Sequence, residues 1–327
     1  MISRSARLGR LRIATGAVSA VGALMAGLVW APPVSAAQPA GHHSVGSGHG
    51  THVSYLALGD SIAFGYTPPQ VTPPQAYQDA ANFVGYPKDV AVAADVVLTN
   101  ASCPGETTGS MISPDAISNG CENSPTSSVG YRDVYPLHVS YSDTQLRFAV
   151  AFLRSHPHTR LVTIDIGAND AFVCQETTPD QCTGSDFVQT LHKISVNLTR
   201  IYAALRWRAH YHHALVALTY YPLDYSDPAQ VAQAKALNAA IAWPTVVAGG
   251  IIADGFRAFQ RSSAPFGGDP CKAGLLIPLP GGGCNVHPTR KGHAVLARAI
   301  EAALTRTHRH RFGERPARSA MSPAGQG

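Results

Sequence analysis

Charge is scarce in this sequence: 14% of its 327 residues are Asp, Glu, Lys or Arg, against 45% that are hydrophobic. A chain so apolar buries a sizeable core and is not disordered throughout. Sustained heptads and a Gly-X-Y period are both missing, which excludes a coiled coil and collagen in spite of 30 Gly and 24 Pro. No Cys-x-x-Cys pair occurs, so the spacing of a structural zinc site is absent. Nor, after the first 36 residues, is there an apolar run long enough to cross a bilayer. The body from 37 to 305 lacks a positive balance: it holds 16 basic and 19 acidic residues, and the formal charge of +5 comes from the two ends. A nucleic-acid-binding domain would carry its own basic face.

What is present begins with Arg4, Arg7, Arg10 and Arg12, which precede an apolar run from Ile13 to Trp30 and then Pro32, Pro33 and Val34-Ser35-Ala36. This reads as a secretory signal peptide over residues 1–36, and the lack of an Arg-Arg pair favours general secretion over twin-arginine export. Residues 37–52, rich in Gly, Ser and His, read as a flexible leader. Residues 306–327, with five Arg and Glu314, read as a solvated basic tail. All six cysteines fall in the mature part, and an even count in an exported chain argues for disulfides. Of 15 possible pairings we expect the neighbours, Cys103–Cys121, Cys174–Cys182 and Cys271–Cys284, each closing a short loop.

Between the ends, short apolar runs alternate with helical patterns. Strands are expected at Val53 to Leu58, Asp95 to Thr99, Leu161 to Ile166, Ala214 to Tyr220 and Gly250 to Ala253, each too apolar to have one wet face. Ser142-Asp143-Thr144-Gln145 has the form of a capping box before a helix from Leu146 to Leu153. Phe187, Leu191, Ile194, Leu198, Ile201 and Leu205 form one helical stripe, read as core. A last helix is expected from near Pro288 to Leu304. Alternation of this kind implies a parallel sheet covered on both faces, in one domain over 53–305. Reactive groups in such sheets gather outside the carboxyl ends of the strands.

Four short segments are expected at that rim. Gly59-Asp60-Ser61 follows the first strand; a serine there is exposed, though it is also an ordinary helix cap. Gly105 follows the second strand, Asn169-Asp170 the third, and His287 sits near the last helix. Each alone has a bland structural reading. Together they supply a complete chemistry. A serine hydroxyl needs an imidazole to take its proton as it attacks a carbonyl. The oxyanion that forms needs fixed donors, which the N–H groups of Ser61 and Gly105 and the side-chain amide of Asn169 can supply.

These blocks, Gly59-Asp60-Ser61, Gly105, Gly167-x-Asn169-Asp170 and His287, occur in the order found in the SGNH (GDSL) hydrolases, and the chain resembles that family of esterases and lipases over roughly 53–305. The resemblance implies a flavodoxin-like three-layer α/β/α fold with a central parallel sheet of about five strands. It also implies a Ser61 nucleophile, a His287 base, and an oxyanion hole of Ser61, Gly105 and Asn169, with no cofactor and no metal. The export signal, cysteines and composition further resemble secreted actinobacterial members. No Gly-x-Ser-x-Gly elbow is present, which disfavours the ordinary α/β-hydrolase reading. One position departs from the family pattern: Cys284 stands where an Asp usually precedes the histidine by three residues. We therefore expect the main-chain oxygen of Cys284 to orient His287, with the Asn285 side chain, Asp254 and Asp269 as rivals. The expected substrate is a small-molecule or lipid ester, cleaved by a secreted monomer that binds no nucleic acid and inserts in no membrane. The other readings are deacetylation of an acetylated polysaccharide on the same site, and a non-catalytic module that grips polysaccharide or lipid.

Overall fold

The computed structural model describes residues 53–312; the expected signal peptide and leader, and the expected tail from residue 313 on, lie outside the described residues. In chain order the elements are β1 (Ser54–Gly59), α1 (Ser61–Phe64), α2 (Tyr86–Ala94), β2 (Val97–Asn100), α3 (Tyr131–Val134), α4 (Gln145–Ser155), β3 (Thr159–Asp165) and α5 (Ala168–Thr177). They continue with α6 (Ser185–Ala203), β4 (Ala214–Leu218), α7 (Pro228–Val247), β5 (Ile251–Ala253), α8 (Gly255–Ser263), β6 (Leu276–Pro278), β7 (Cys284–Pro288) and α9 (Arg290–Phe312). Single 3-10 or π turns extend several of these.

Strands β1 to β5 form one parallel sheet in the order β2-β1-β3-β4-β5. Helices cover it: α6 packs on α7, while α9 packs on both α2 and α8. This is the α/β architecture with five parallel strands that the sequence implied. The central strands are apolar on both faces because both faces are covered; Tyr55, Leu56, Ala57 and Leu58 of β1 and Leu215, Val216 and Ala217 of β4 are fully buried. The order reverses direction between β1 and β3, and the crevice outside a switch point of that kind is where ligands of open α/β sheets bind. β1 delivers Ser61 to that crevice and β3 delivers Asn169.

Several elements differ from the sequence expectation. β2 is an edge strand with Val97 exposed, and Asp95 is not in it: at φ 52° it caps α2 in the left-handed region. The capping box does not form; Thr144 alone caps α4, its hydroxyl accepting from Arg147 N–H at 3.3 Å. Pro288 ends β7, and α9 starts two residues later and runs past the boundary expected at 305. The three neighbouring cysteine pairs are disulfide-bonded, as expected from the spacing. Among the described residues no helix is long and apolar enough to cross a membrane.

Candidate active site

Ser61 is the first residue of α1. Asp60 precedes it as an extended N-cap, and its Oδ1 accepts from Ile62 N–H at 2.9 Å. The turn out of β1 demands glycine: Gly59 has φ +129°, and a Cβ there would lie 2.1 Å from the Asp165 carbonyl oxygen. No local pattern signals the group that holds this turn from behind. Gln145, fully buried, accepts from Gly59 N–H at 2.6 Å and donates to Gly59 O and to Glu106 Oε2, both at 3.0 Å. The residue expected to close a capping box instead ties the serine turn to the segment after β2.

That segment carries Gly105 at φ +84°, where a Cβ would lie 2.4 Å from the Asn119 carbonyl oxygen. The Cys103–Cys121 bridge closes the loop containing both residues. Asn119 is a second residue that sequence reasoning missed. Its N–H donates to Gly105 O at 2.7 Å, and its side-chain amide donates to Asn169 Oδ1 at 2.8 Å. Asn169, at the start of α5 and buried, donates one amide hydrogen to Glu106 O at 3.0 Å. With the oxygen and one hydrogen engaged, the amide cannot flip, and its other hydrogen is left to serve a ligand. Asp170 positions the same pair of loops, accepting from Thr108 N–H at 2.8 Å and Thr108 Oγ1 at 2.5 Å. Among the described residues, the N–H groups of Ser61 and Gly105 donate to no protein acceptor.

His287 lies on β7, half-buried, with the Tyr66 ring at a centroid distance of 5.0 Å. Its Nδ1–H does not meet the main-chain oxygen of Cys284, and that expectation is corrected. Cys284 is held in the two-stranded β6–β7 ladder opposite Pro278 and in the bridge to Cys271, whereas Asn285 folds back and its Oδ1 accepts from both Nδ1 and N–H of His287, the latter at 3.1 Å. Nor do the rival carboxylates reach the ring: Asp254 Oδ1 caps Arg257 N–H at 2.9 Å, and Asp269 pairs with Lys272 at 3.2 Å. A hydrogen on Nδ1 leaves Nε2 with a free lone pair, the form a general base requires. α1 packs against β7. Ser61 Oγ and Nε2 make no hydrogen bond in this structure; such bonds commonly tighten only when substrate is bound.

Burial depresses His287 to about 4, and the neutral Asn285 supplies no charge to oppose it. Behind the serine, two carboxyls share one buried space. Asp60 Oδ2 accepts from Tyr220 OH at 2.5 Å, Asp165 Oδ1 from Tyr86 OH at 2.6 Å, and Asp165 Oδ2 has no donor. Burial foremost, and the Asp60 charge next, push Asp165 well above the carboxylate range; burial lifts Asp60 to about 6 against the bonds from Ile62 N–H and Tyr220. Burial and the neighbouring Asp60 charge therefore favour the protonated form of Asp165.

Ser61 and Asn169 line the same cleft, of about 380 Å³, beside Val286 next to the histidine; its walls are largely apolar, from Ile62, Phe172, Phe187, Tyr221 and Leu237. Phe187 thus departs from the core stripe, whose buried members are Ile194, Leu198, Ile201 and Leu205. Tyr221 is fixed by donating to Val286 O at 2.9 Å. Cys103, Glu106 and Cys121 present ligand atoms within 4.8 Å of one another, but the two sulfurs are bonded to each other and offer no thiolate.

The model of the GDSL-like lipase/acylhydrolase family matches residues 57–295. The chain belongs to that family. The match takes in every one of the four motif blocks. Solved structures similar to this chain include phospholipase A1 from Streptomyces albidoflavus NA297, with 19% identity, 77% of this chain and 99% of that one covered, and a TM-score of 0.48. An extracellular lipase from Streptomyces rimosus shares 20% identity over 77% of this chain and 99% of its own, with a TM-score of 0.47. An acetylxylan esterase from Geobacillus stearothermophilus shares 16% identity over 81% of this chain and 96% of its own, with a TM-score of 0.44. No curated protein matches the chain.

Proposed function

We propose that this GDSL-family hydrolase is an exported serine esterase or lipase that cleaves carboxylic esters through an acyl-enzyme on Ser61. The observation that carries this reading is the shared cleft: Ser61 and the locked amide of Asn169 line it together, beside the strand that carries a correctly protonated His287. Ser61 Oγ attacks the ester carbonyl as His287 Nε2 takes its proton. The oxyanion is held by the N–H groups of Ser61 and Gly105 and the free amide hydrogen of Asn169. Collapse expels the alcohol, which receives the proton from His287. Water then attacks the acyl group with the same base and donors, releasing the acid and restoring Ser61. No cofactor takes part in these steps. The apolar walls favour a short or medium acyl chain. Three disulfides and the Arg-led apolar start of the sequence support export, with a catalytic domain from residue 53 through α9, 37–52 as a leader and the residues after α9 as a basic tail.

A fluorophosphonate reagent is expected to label Ser61, and Ser61→Ala to lower kcat by on the order of 10⁶. Asn169→Ala is expected to lower kcat by on the order of 10² to 10³. Turnover retained by purified Ser61→Ala protein would remove the assignment. A chain that binds acylated polysaccharide, but neither reacts with the fluorophosphonate nor turns over, would be a binding module.

A further inference from the structure

A second concavity, of about 560 Å³, lies between α8 and α9 and shares no residue with the catalytic cleft. Four arginines line it: Arg257 and Arg261 from α8, Arg298 and Arg306 from α9. None forms an ion pair among the described residues, whose four salt bridges use other cations. The one acid in the lining is Asp254, and its Oδ1 is already engaged as the N-cap of α8. At 1.5 Å of rise per residue, Arg257 and Arg261 are rooted about 6 Å apart along α8, and Arg298 and Arg306 about 12 Å apart along α9. The positive charge is therefore strung along the groove instead of being gathered at a point. It is also out of keeping with a body that carries more acids than bases.

The floor between the arginines is built of alanine, serine and valine. It offers no aromatic face on which a base or a sugar ring could stack, which is how single-stranded nucleic acids are held. It offers no bulky apolar side chain to enter a bilayer either, and its shape is concave where a membrane surface is flat. What remains complementary to four planar, permanently charged forks in a narrow groove is a chain of phosphates without rings. We propose that the α8–α9 groove binds a linear phosphate polymer, and so docks the enzyme on polyanionic material. In sequence, Arg306 is followed by Arg309, Arg311, Arg315 and Arg318.

The test is the anisotropy of end-labelled inorganic polyphosphate titrated with the full chain at several salt concentrations. Binding at low salt is expected, with log Kd rising against log salt at a slope of about 3, from four contacts to a single chain. Arg298→Glu/Arg306→Glu should weaken binding by about tenfold or more while its circular dichroism and ester hydrolysis stay at wild-type values. Arg257→Gln/Arg261→Gln, on the other helix, is the second variant, so that misfolding of one leaves the other to decide. Unchanged affinity in both, loss confined to Gln replacements of Arg309, Arg311, Arg315 and Arg318, or no binding at low salt would each overturn the proposal. So would equal, groove-dependent capture of single-stranded DNA, heparin or phosphatidylglycerol vesicles.

Discussion

Asn285 accepts two hydrogens from His287 and is neutral, so it fixes the ring without stabilising its charged form. The proposed base can act only when neutral, and with the His287 pKa at about 4 the neutral form persists well below the ordinary histidine range. The acid limb of kcat/KM, which reports the free enzyme, is therefore expected near pH 4. Asn285→Asp places a negative charge beside Nδ1–H, favours the imidazolium, and should move that limb to higher pH by about one unit or more. An unmoved limb would show that another group sets it. Asp165 makes a prediction of opposite sense. Its folded pKa is raised, so above the ordinary carboxylate value the unfolded chain has lost a proton that the folded chain keeps, and stability falls as pH rises toward the folded pKa. Asp165→Asn keeps a neutral side chain there at every pH. Its melting temperature relative to wild type should rise steadily as pH climbs above the ordinary carboxylate value of about 4. A difference independent of pH would mean that Asp165 is not the protonated partner.

The β6–β7 hairpin carries the histidine on short strands, and the Cys271–Cys284 bridge across 13 positions is what anchors it. Replacing both cysteines by serine is expected to reduce stability by about 3 kcal/mol in denaturant unfolding, from the loop entropy restored to the unfolded chain. A loss of a few tenths would place the anchoring in the ladder instead. The strands themselves were legible because continuous apolar runs bounded by turn residues have few alternatives in a buried parallel sheet. Helix ends were less so. Gln145 reads as the last member of a capping box, yet it opens α4 and reaches across to Gly59 and Glu106; a local pattern cannot report that a distant loop lacks a buried partner. Asp95 reads as strand because it adjoins valines, but the left-handed close of α2 needs a short polar residue there.

The whole molecule places one apolar cleft against the serine, and its depth should appear as acyl selectivity. Each methylene buried contributes about 0.8 kcal/mol, or roughly fourfold in kcat/KM, until the cleft is full. A series of nitrophenyl esters should climb by that factor through the short chains and then level off. Leu237→Trp, which narrows the cleft, should move the plateau to a shorter chain. A flat series would mean that the acyl group lies elsewhere.

Local pattern, with the family resemblance, sufficed to single out the candidate groups and their order. Ser61, Gly105 and Asn169 are legible because each follows a turn whose glycine, proline or polar residues leave few local conformations, and His287 because it precedes the Pro288 that ends its strand. It sufficed for the cysteine pairing too, since neighbours in short loops have the least entropy to lose on closing. What holds those groups was settled only in the folded chain. Asn119 on Asn169, Gln145 between Gly59 and Glu106, and the Asp165 carbonyl on Asp60 N–H are contacts between segments that the assembled sheet brings together, and Asn285 on His287 forms where β7 is held. Hydrogen-bond satisfaction in a buried space depends on every neighbour at once, and a linear pattern records only those adjacent along the chain.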